Sequence, residues 1–172
     1  GGGDWALDRI VPDCVTAWSK NQSVEIRSPN STRPWQHVLE PLSGYLALGQ
    51  ELHKNIELHG NAYNFGPPAN QDHSVAELIN LMKDYFNKAK WNDVSSSDEH
   101  LHEAGLLKLN CDKALFDLDW TPTMSFVETV KMTSEWYKNY YEDSKSNIKK
   151  LTIEQIKDYS KLAEERNLKW TK

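Results

Sequence analysis

Arg33-Pro34-Trp35-Gln36-His37-Val38 is the stretch of this chain best equipped for chemistry. The planar fork of Arg33 can take two oxygens of an anion at once, which a lysine cannot do. Arg9 stands where a helix is expected to open, and there free backbone N–H groups and the helix dipole already favour negative charge. Glu25 and Arg27 flank Ile26 in a short extended run, so both point away from the face that Ile26 uses. His100, His102 and Glu103 follow a polar stretch from Asp93 to Glu99. The acids and histidines there lack i, i+4 spacing on a rigid helix, so no metal site is expected. Cys14 and Cys111 have no Cys-x-x-Cys or histidine spacing and read as two reduced, buried thiols. His37 reads as a hydrogen-bonded core histidine. Tyr141 and Lys145 match Tyr-x-x-x-Lys in spacing only, inside a polar run, and are assigned to chance.

The elements that must hold these residues follow from periodicity and capping. A helix is expected from Arg9 to Lys20, with Ile10, Cys14, Val15 and Trp18 on one side and Pro12 in its first turn. Val24 to Arg27 is a short strand. A long helix covers about 39–55, and Gly44 and Gly49 inside it mark close packing. Asn61 to Phe65 alternates and reads as a strand ended by Gly66-Pro67-Pro68. Ser74 to Glu77 is a capping box opening a helix to about Lys90, and Ser125 to Glu128 is a second, opening one to about Tyr141. Between them Leu106 to Leu109 is a short strand. Cys111 to Leu118 is a short helix opened by Asn110 and ended by Asp119 in left-handed conformation. Thr152 to Gln155 is read as a third capping box, with Ile153, Ile156, Tyr159 and Leu162 as the apolar side of a last helix to about Asn167.

Composition sets the bounds. The 172 residues suit one domain, or one lobe with an appendage. A hydrophobic fraction of 38% makes a thin core, offset by seven Trp and seven Tyr. The net charge of −5 argues against a nucleic-acid partner, which needs a basic face. No apolar run is long enough to span a membrane, and a cytoplasmic location is expected. Gly1-Gly2-Gly3 is a strange opening: a glycine run frees the backbone to pass close to another surface, so the chain reads as the back part of a longer protein.

Several segments in order carry a resemblance: Gly1 to Ala6, Asp8 to Asp13, Val24 to Arg27, Arg33 to Val38, Tyr63 to Pro68, His102 to Ala104 and Ala114 to Trp120. From residue 1 to about 141 the chain resembles the extended short-chain dehydrogenase/reductase family of nucleotide-sugar enzymes. The resemblance implies an α/β fold class: a mostly helical substrate-binding lobe with short strands, from a two-lobe enzyme, lacking its N-terminal Rossmann region. No Gly-rich dinucleotide turn is present. No catalytic or cofactor-binding residue is therefore expected in this chain, and NAD belongs to the full-length enzyme.

The family also implies roles. Arg33 matches the arginine that contacts the diphosphate, and Arg9 with the Ile10 main-chain amide matches a second contact to it. The strand of Glu25 and Arg27 would lie along the base. Arg27 can stack on the ring, and Glu25 can accept from a cytosine amino group, favouring a CDP-sugar over a UDP-sugar. Pro34 and Gln36-His37 point to the same type. Glu103 matches the ribose-binding acid, with His102 or His100 in place of an arginine usual nearby. Trp5 lines the sugar or simply packs; both readings stay open. The expected division is a nucleotide-sugar-binding lobe over 1–141 and a linker with C-terminal helix over 142–172. The 39–55 helix would pack on the missing Rossmann domain, and homo-oligomers are a further expectation. The function expected for the whole enzyme is 4,6-dehydration of a CDP-hexose. The alternatives are another epimerase or dehydratase of nucleotide sugars, or a non-catalytic nucleotide-binding or assembly module.

Overall fold

In the computed structural model, which describes residues 1–96, 105–142 and 147–172, the first helical stripe folds as α1, Ile10–Ser19. Cys14, Val15 and Trp18 are buried along it, and Pro12 lies in the first turn, where no helical hydrogen bond is lost. The chain continues through β1, Val24–Ile26, into irregular backbone that carries the Arg33 to Val38 stretch, and then into α2, Leu39–Lys54. Helix α3 spans Val75–Lys83, opened by a complete capping box in which Ser74 and Glu77 serve each other's backbone. Strand β2, Trp91–Asp93, pairs in parallel with β1, in the register Val24 with Trp91, Glu25 with Asn92 and Ile26 with Asp93. Helices α4, Asp112–Leu118, α5, Phe126–Glu142, and α6, Ile148–Glu165, complete the order. Short 3-10 turns stand at Ile56–Leu58 and Lys169–Thr171.

Two cores result. The first lies among α1, α3 and α5 over the small sheet, with Trp18, Ile79, Met82, Phe126 and Tyr137 at its centre. The second joins α2 to α4 through Ala47, Phe65, Leu118 and Trp120. Asp119 ends α4 at φ 53°, the left-handed conformation expected of it. Ser125 and Glu128 form the expected box at the head of α5: the Ser125 N–H donates to the carboxylate at 2.7 Å, and the Glu128 N–H donates back to the hydroxyl.

Four expectations are corrected. Residues 61–65 form no strand: Phe65 turns inward against Trp120, and Asn64 and Tyr63 are drawn to α4 and the segment before it through Asn110 and Asp117. Leu106 to Leu109 is reduced to a single bridge from Leu106 to Thr32. Helix α3 stops at Lys83, because turns through Phe86 fold the chain back to supply β2, a strand the polar composition near Asp93 concealed. Helix α6 starts earlier than expected, capped by Asn147, which accepts from the Lys150 N–H. Thr152 therefore sits inside it and donates to the Ile148 carbonyl. The buried side is Gln155, Tyr159 and Ala163, while Ile153 and Ile156 face out.

The two α2 glycines divide. A Cβ on Gly44 would overlap the Phe65 ring, whereas one on Gly49 meets nothing within 4 Å. Gly44→Ala should cost about 1–3 kcal/mol through overpacking. Gly49→Ala should gain about 0.5–1 kcal/mol by restricting the unfolded chain. Urea unfolding of both variants checks this opposition, and equal effects would contradict the packing described.

Candidate functional site

Arg9 precedes α1 in extended conformation, and no side chain caps the helix. The first-turn amides of α1 are thus left for a ligand or water, with the exposed Arg9 beside them. Asp13, in the same turn, has its carboxyl pushed up by burial and then by Asp8. Helix α1 packs on β1. Along β1, Ile26 is buried while Glu25 and Arg27 are exposed, as their alternation demands. The partner strand sets Asn92 beside Glu25, a neighbour that only the parallel pairing reveals.

Arg33 sits at a seam of three segments. Thr32 bridges to Ser74 on one side and to Leu106 on the other, and its N–H donates to the Gly105 carbonyl at 2.8 Å. Arg33 is half-buried, and its Nη1 donates to the Thr32 carbonyl at 2.7 Å. The His73 carbonyl accepts from the Trp35 indole at 2.8 Å and from the Arg33 N–H at 3.5 Å. His73 is itself fixed by stacking on Phe126, with ring centres 3.8 Å apart. Gln36 donates to the Phe65 carbonyl.

His37 is a core residue, as expected, though only half paired. Its Nδ1 accepts from the Leu39 N–H, and its buried Nε2 has no partner among the described residues. Burial pulls the imidazole down to about 3.

The opening loop explains its own composition. A Cβ on Gly2 would overlap the Trp136 ring, so glycine is needed where the backbone crosses α5. The Asp4 N–H donates to the Tyr137 hydroxyl, which in turn donates to the Asp4 carbonyl at 2.6 Å. Trp5 rests on Tyr140 at 4.9 Å between ring centres and donates to the Tyr141 hydroxyl at 2.9 Å. Of its two readings, packing is therefore real, while 43% exposure leaves its outer side open to a ligand. That bond also gives Tyr141 a structural task. Lys145, its nominal partner in Tyr-x-x-x-Lys, lies outside the described residues, as do His100, His102 and Glu103.

One charged residue of consequence was not singled out by sequence. Glu40, in the first turn of α2, is only 1% exposed. It accepts from the Thr123 and Met124 N–H groups at 2.8 and 2.7 Å and from the Tyr159 hydroxyl at 3.0 Å. Burial raises its carboxyl, and these donors together with Arg166 oppose the rise. No sequence signal marks it, because an acid in a first helical turn ordinarily stands in solvent.

The lobe so described recurs in solved structures. A UDP-glucuronic acid 4-epimerase from Bacillus cereus, solved with UDP-glucuronic acid and NAD, superposes with a TM-score of 0.63 at 20% identity. The match covers 78% of this chain and 41% of that one. A UDP-glucose-4-epimerase from Stenotrophomonas maltophila gives a TM-score of 0.64 at 17% identity, over 80% of this chain and 42% of the other. No protein-family model matches the chain. The chain shares the fold of the matched part of these epimerases. In sequence it is similar to the CDP-glucose 4,6-dehydratase of Salmonella typhimurium strain LT2, at 41% identity over 139 residues. Those residues are 80% of this chain and 38% of that enzyme, so the chain spans well under half of its relative.

The state of His37 has a measurable consequence. Unfolded, it binds a proton below its ordinary value of 6.5; folded, it resists down to about 3. Its contribution is whole above pH 6.5 and is lost as pH falls through that window. Between pH 7 and 4.5 the native chain should lose about 2–3 kcal/mol more than His37→Asn, which keeps an acceptor near the place of Nδ1. Parallel slopes in urea unfolding at the two pH values would show that the imidazole is solvated.

Proposed function

We propose that this chain is the nucleotide-sugar-binding lobe of a dehydratase that converts CDP-glucose to CDP-4-keto-6-deoxyglucose. The observation that carries the reading is the 41% identity to a CDP-glucose 4,6-dehydratase, found in a chain with the lobe's fold. In this reading Arg33 takes the diphosphate, and Arg9 with the Ile10 amide takes it from the other side. Glu25 and Arg27 meet the cytosine, Glu103 with His102 meets the ribose, and the open side of Trp5 meets the hexose. The work of the lobe is positioning, which converts a diffusing sugar into an oriented one.

NAD does not fit the residues present. There is no Gly-rich turn between a strand and a helix N-terminus, and the sheet has two strands among the described residues. The coenzyme would be held by a dinucleotide-binding domain elsewhere in a longer protein, and no step of this chain runs through it. Helix α2 supports such a partner. Its inner side is Glu40, Ser43, Gly44 and Ala47, while Leu42, Tyr45 and Leu46 stand exposed with Val38 just before them. Neither α6 nor the Lys169–Thr171 turn covers that outer side, which favours a docked domain over a self-sufficient module. A division near residue 141 is part of the same proposal, with α6 of the second part packed into the lobe through Tyr159 and Gln155. The free thiols Cys14 and Cys111, and the lack of a membrane-crossing helix among the described residues, accord with a cytoplasmic setting.

Calorimetric titration of the chain with CDP and UDP tests the reading. CDP should bind, UDP several-fold more weakly, and Arg33→Ala should weaken CDP at least tenfold, about 1.4 kcal/mol, with little change in thermal midpoint. Equal binding of CDP to native and Arg33→Ala chains would overturn the assignment of the diphosphate contact.

A further inference from the structure

The Arg33 to Val38 segment has no regular backbone of its own and depends on what grips its two ends. One end is gripped by His73, whose carbonyl takes the Trp35 indole and the Arg33 N–H. The other runs into the first turn of α2, where the Glu40 N–H donates to the His37 carbonyl at 3.0 Å and the Leu39 N–H to His37 Nδ1. The Glu40 carboxylate of that turn is held by three donors from elsewhere. Two are backbone amides of Thr123 and Met124, and the third is the hydroxyl of Tyr159, 119 residues away on α6.

Tyr159 is built for this task. It is buried, and its hydroxyl also accepts from Thr123 Oγ1 at 2.9 Å, so its own proton is directed to Glu40. Its ring stacks on Trp170. Arg166, the C-cap of α6 about two helical turns beyond Tyr159, donates to the Thr123 carbonyl and pairs with Glu128 at 2.7 Å. Tyr159 of α6 and the C-cap Arg166 thus converge on Thr123, whose N–H donates to Glu40.

We propose that Tyr159 is a positioning residue for the nucleotide site: its hydroxyl, delivered by α6 to the Glu40 carboxylate, fixes the segment that presents Arg33. The link to nucleotide rests on the function proposed above; the link from Tyr159 to the segment does not. Removing the hydroxyl alone leaves the ring and its stacking, but strips a buried carboxylate of one donor. The turn must then shift or admit water, and the segment it anchors loosens with it.

Hydrogen exchange followed by NMR, with CDP titration in parallel, tests this on the native chain, Tyr159→Phe and Trp170→Phe. The last disturbs the packing of α6 without touching the hydroxyl. Tyr159→Phe should speed exchange at the Trp35 indole and the Arg33, Leu39 and Glu40 amides about tenfold. Amides of α3 from Leu78 to Met82 should stay protected, and CDP affinity should fall about tenfold. Trp170→Phe should leave the segment and the affinity near native. Unchanged exchange in the segment of Tyr159→Phe would overturn the proposal, as would an equal effect of Trp170→Phe at equal stability. Faster exchange in the segment, with no CDP binding even by the native chain, would uphold the coupling and defeat the nucleotide reading.

Discussion

A carboxylate that never meets water organises this lobe. Glu40 is ionisable, almost fully enclosed, and hydrogen-bonded on both oxygens. Burying such a group is costly unless every lone pair is engaged, and a partly satisfied site is worse than an apolar one. Its donors come from the turn after α4 and from α6, while Glu40 itself belongs to α2. Three parts of the chain must therefore arrive together for any of them to rest. The surrounding hydroxyls extend the constraint: Ser43 donates to the Glu40 carbonyl at 2.7 Å and accepts from the Trp120 indole.

That polar knot adjoins the core of α2 and α4 through Trp120 and Trp170. The core of α1, α3 and α5 is a conventional packing of large side chains. The core of α2 and α4 is small and relies on Gly44 to admit Phe65, which in turn packs edge-on against Trp120. A core of that size holds a helix in place weakly. The network from Glu40 to Tyr159 and Arg166 adds direction, which apolar contact lacks. The same helix can therefore leave its outer side bare without losing its seat.

How much of this was legible depends on the range of the interaction. Both capping boxes, the left-handed Asp119 and the inward stripe of α1 are local, and residues three or four apart announce them. The partner of β1 was not legible, because a parallel pair is joined by a long crossover and three residues of β2 carry too little pattern. The buried side of α6 was misjudged for a related reason. Ile153 and Ile156 look more apolar than Gln155, yet Gln155 turns inward to donate to the Met132 carbonyl at 2.7 Å. Of the contacts proposed above, Arg9, Glu25, Arg27 and Arg33 were nameable from type and spacing. The residues that hold the Arg33 segment and the turn after it, His73 and Glu40, are conspicuous only in three dimensions.

Aiming matters more here than charge. On the reading proposed above, the cations that face the nucleotide are few, and the net charge of −5 opposes a dianionic ligand at long range. Affinity must then come from placement: a guanidinium held at the right angle gains two hydrogen bonds, and one that must be ordered on binding pays for it in entropy. The structure fixes its candidate contacts from behind. Thr32 is stitched to Ser74 and Leu106, the His73 ring is clamped on Phe126, and the opening loop is pinned to Trp136 and Tyr137. On that reading, a lobe that only positions the sugar governs the rate of the enzyme by such rigidity. A displacement near 1 Å at a positioning group is enough to cost about two orders of magnitude.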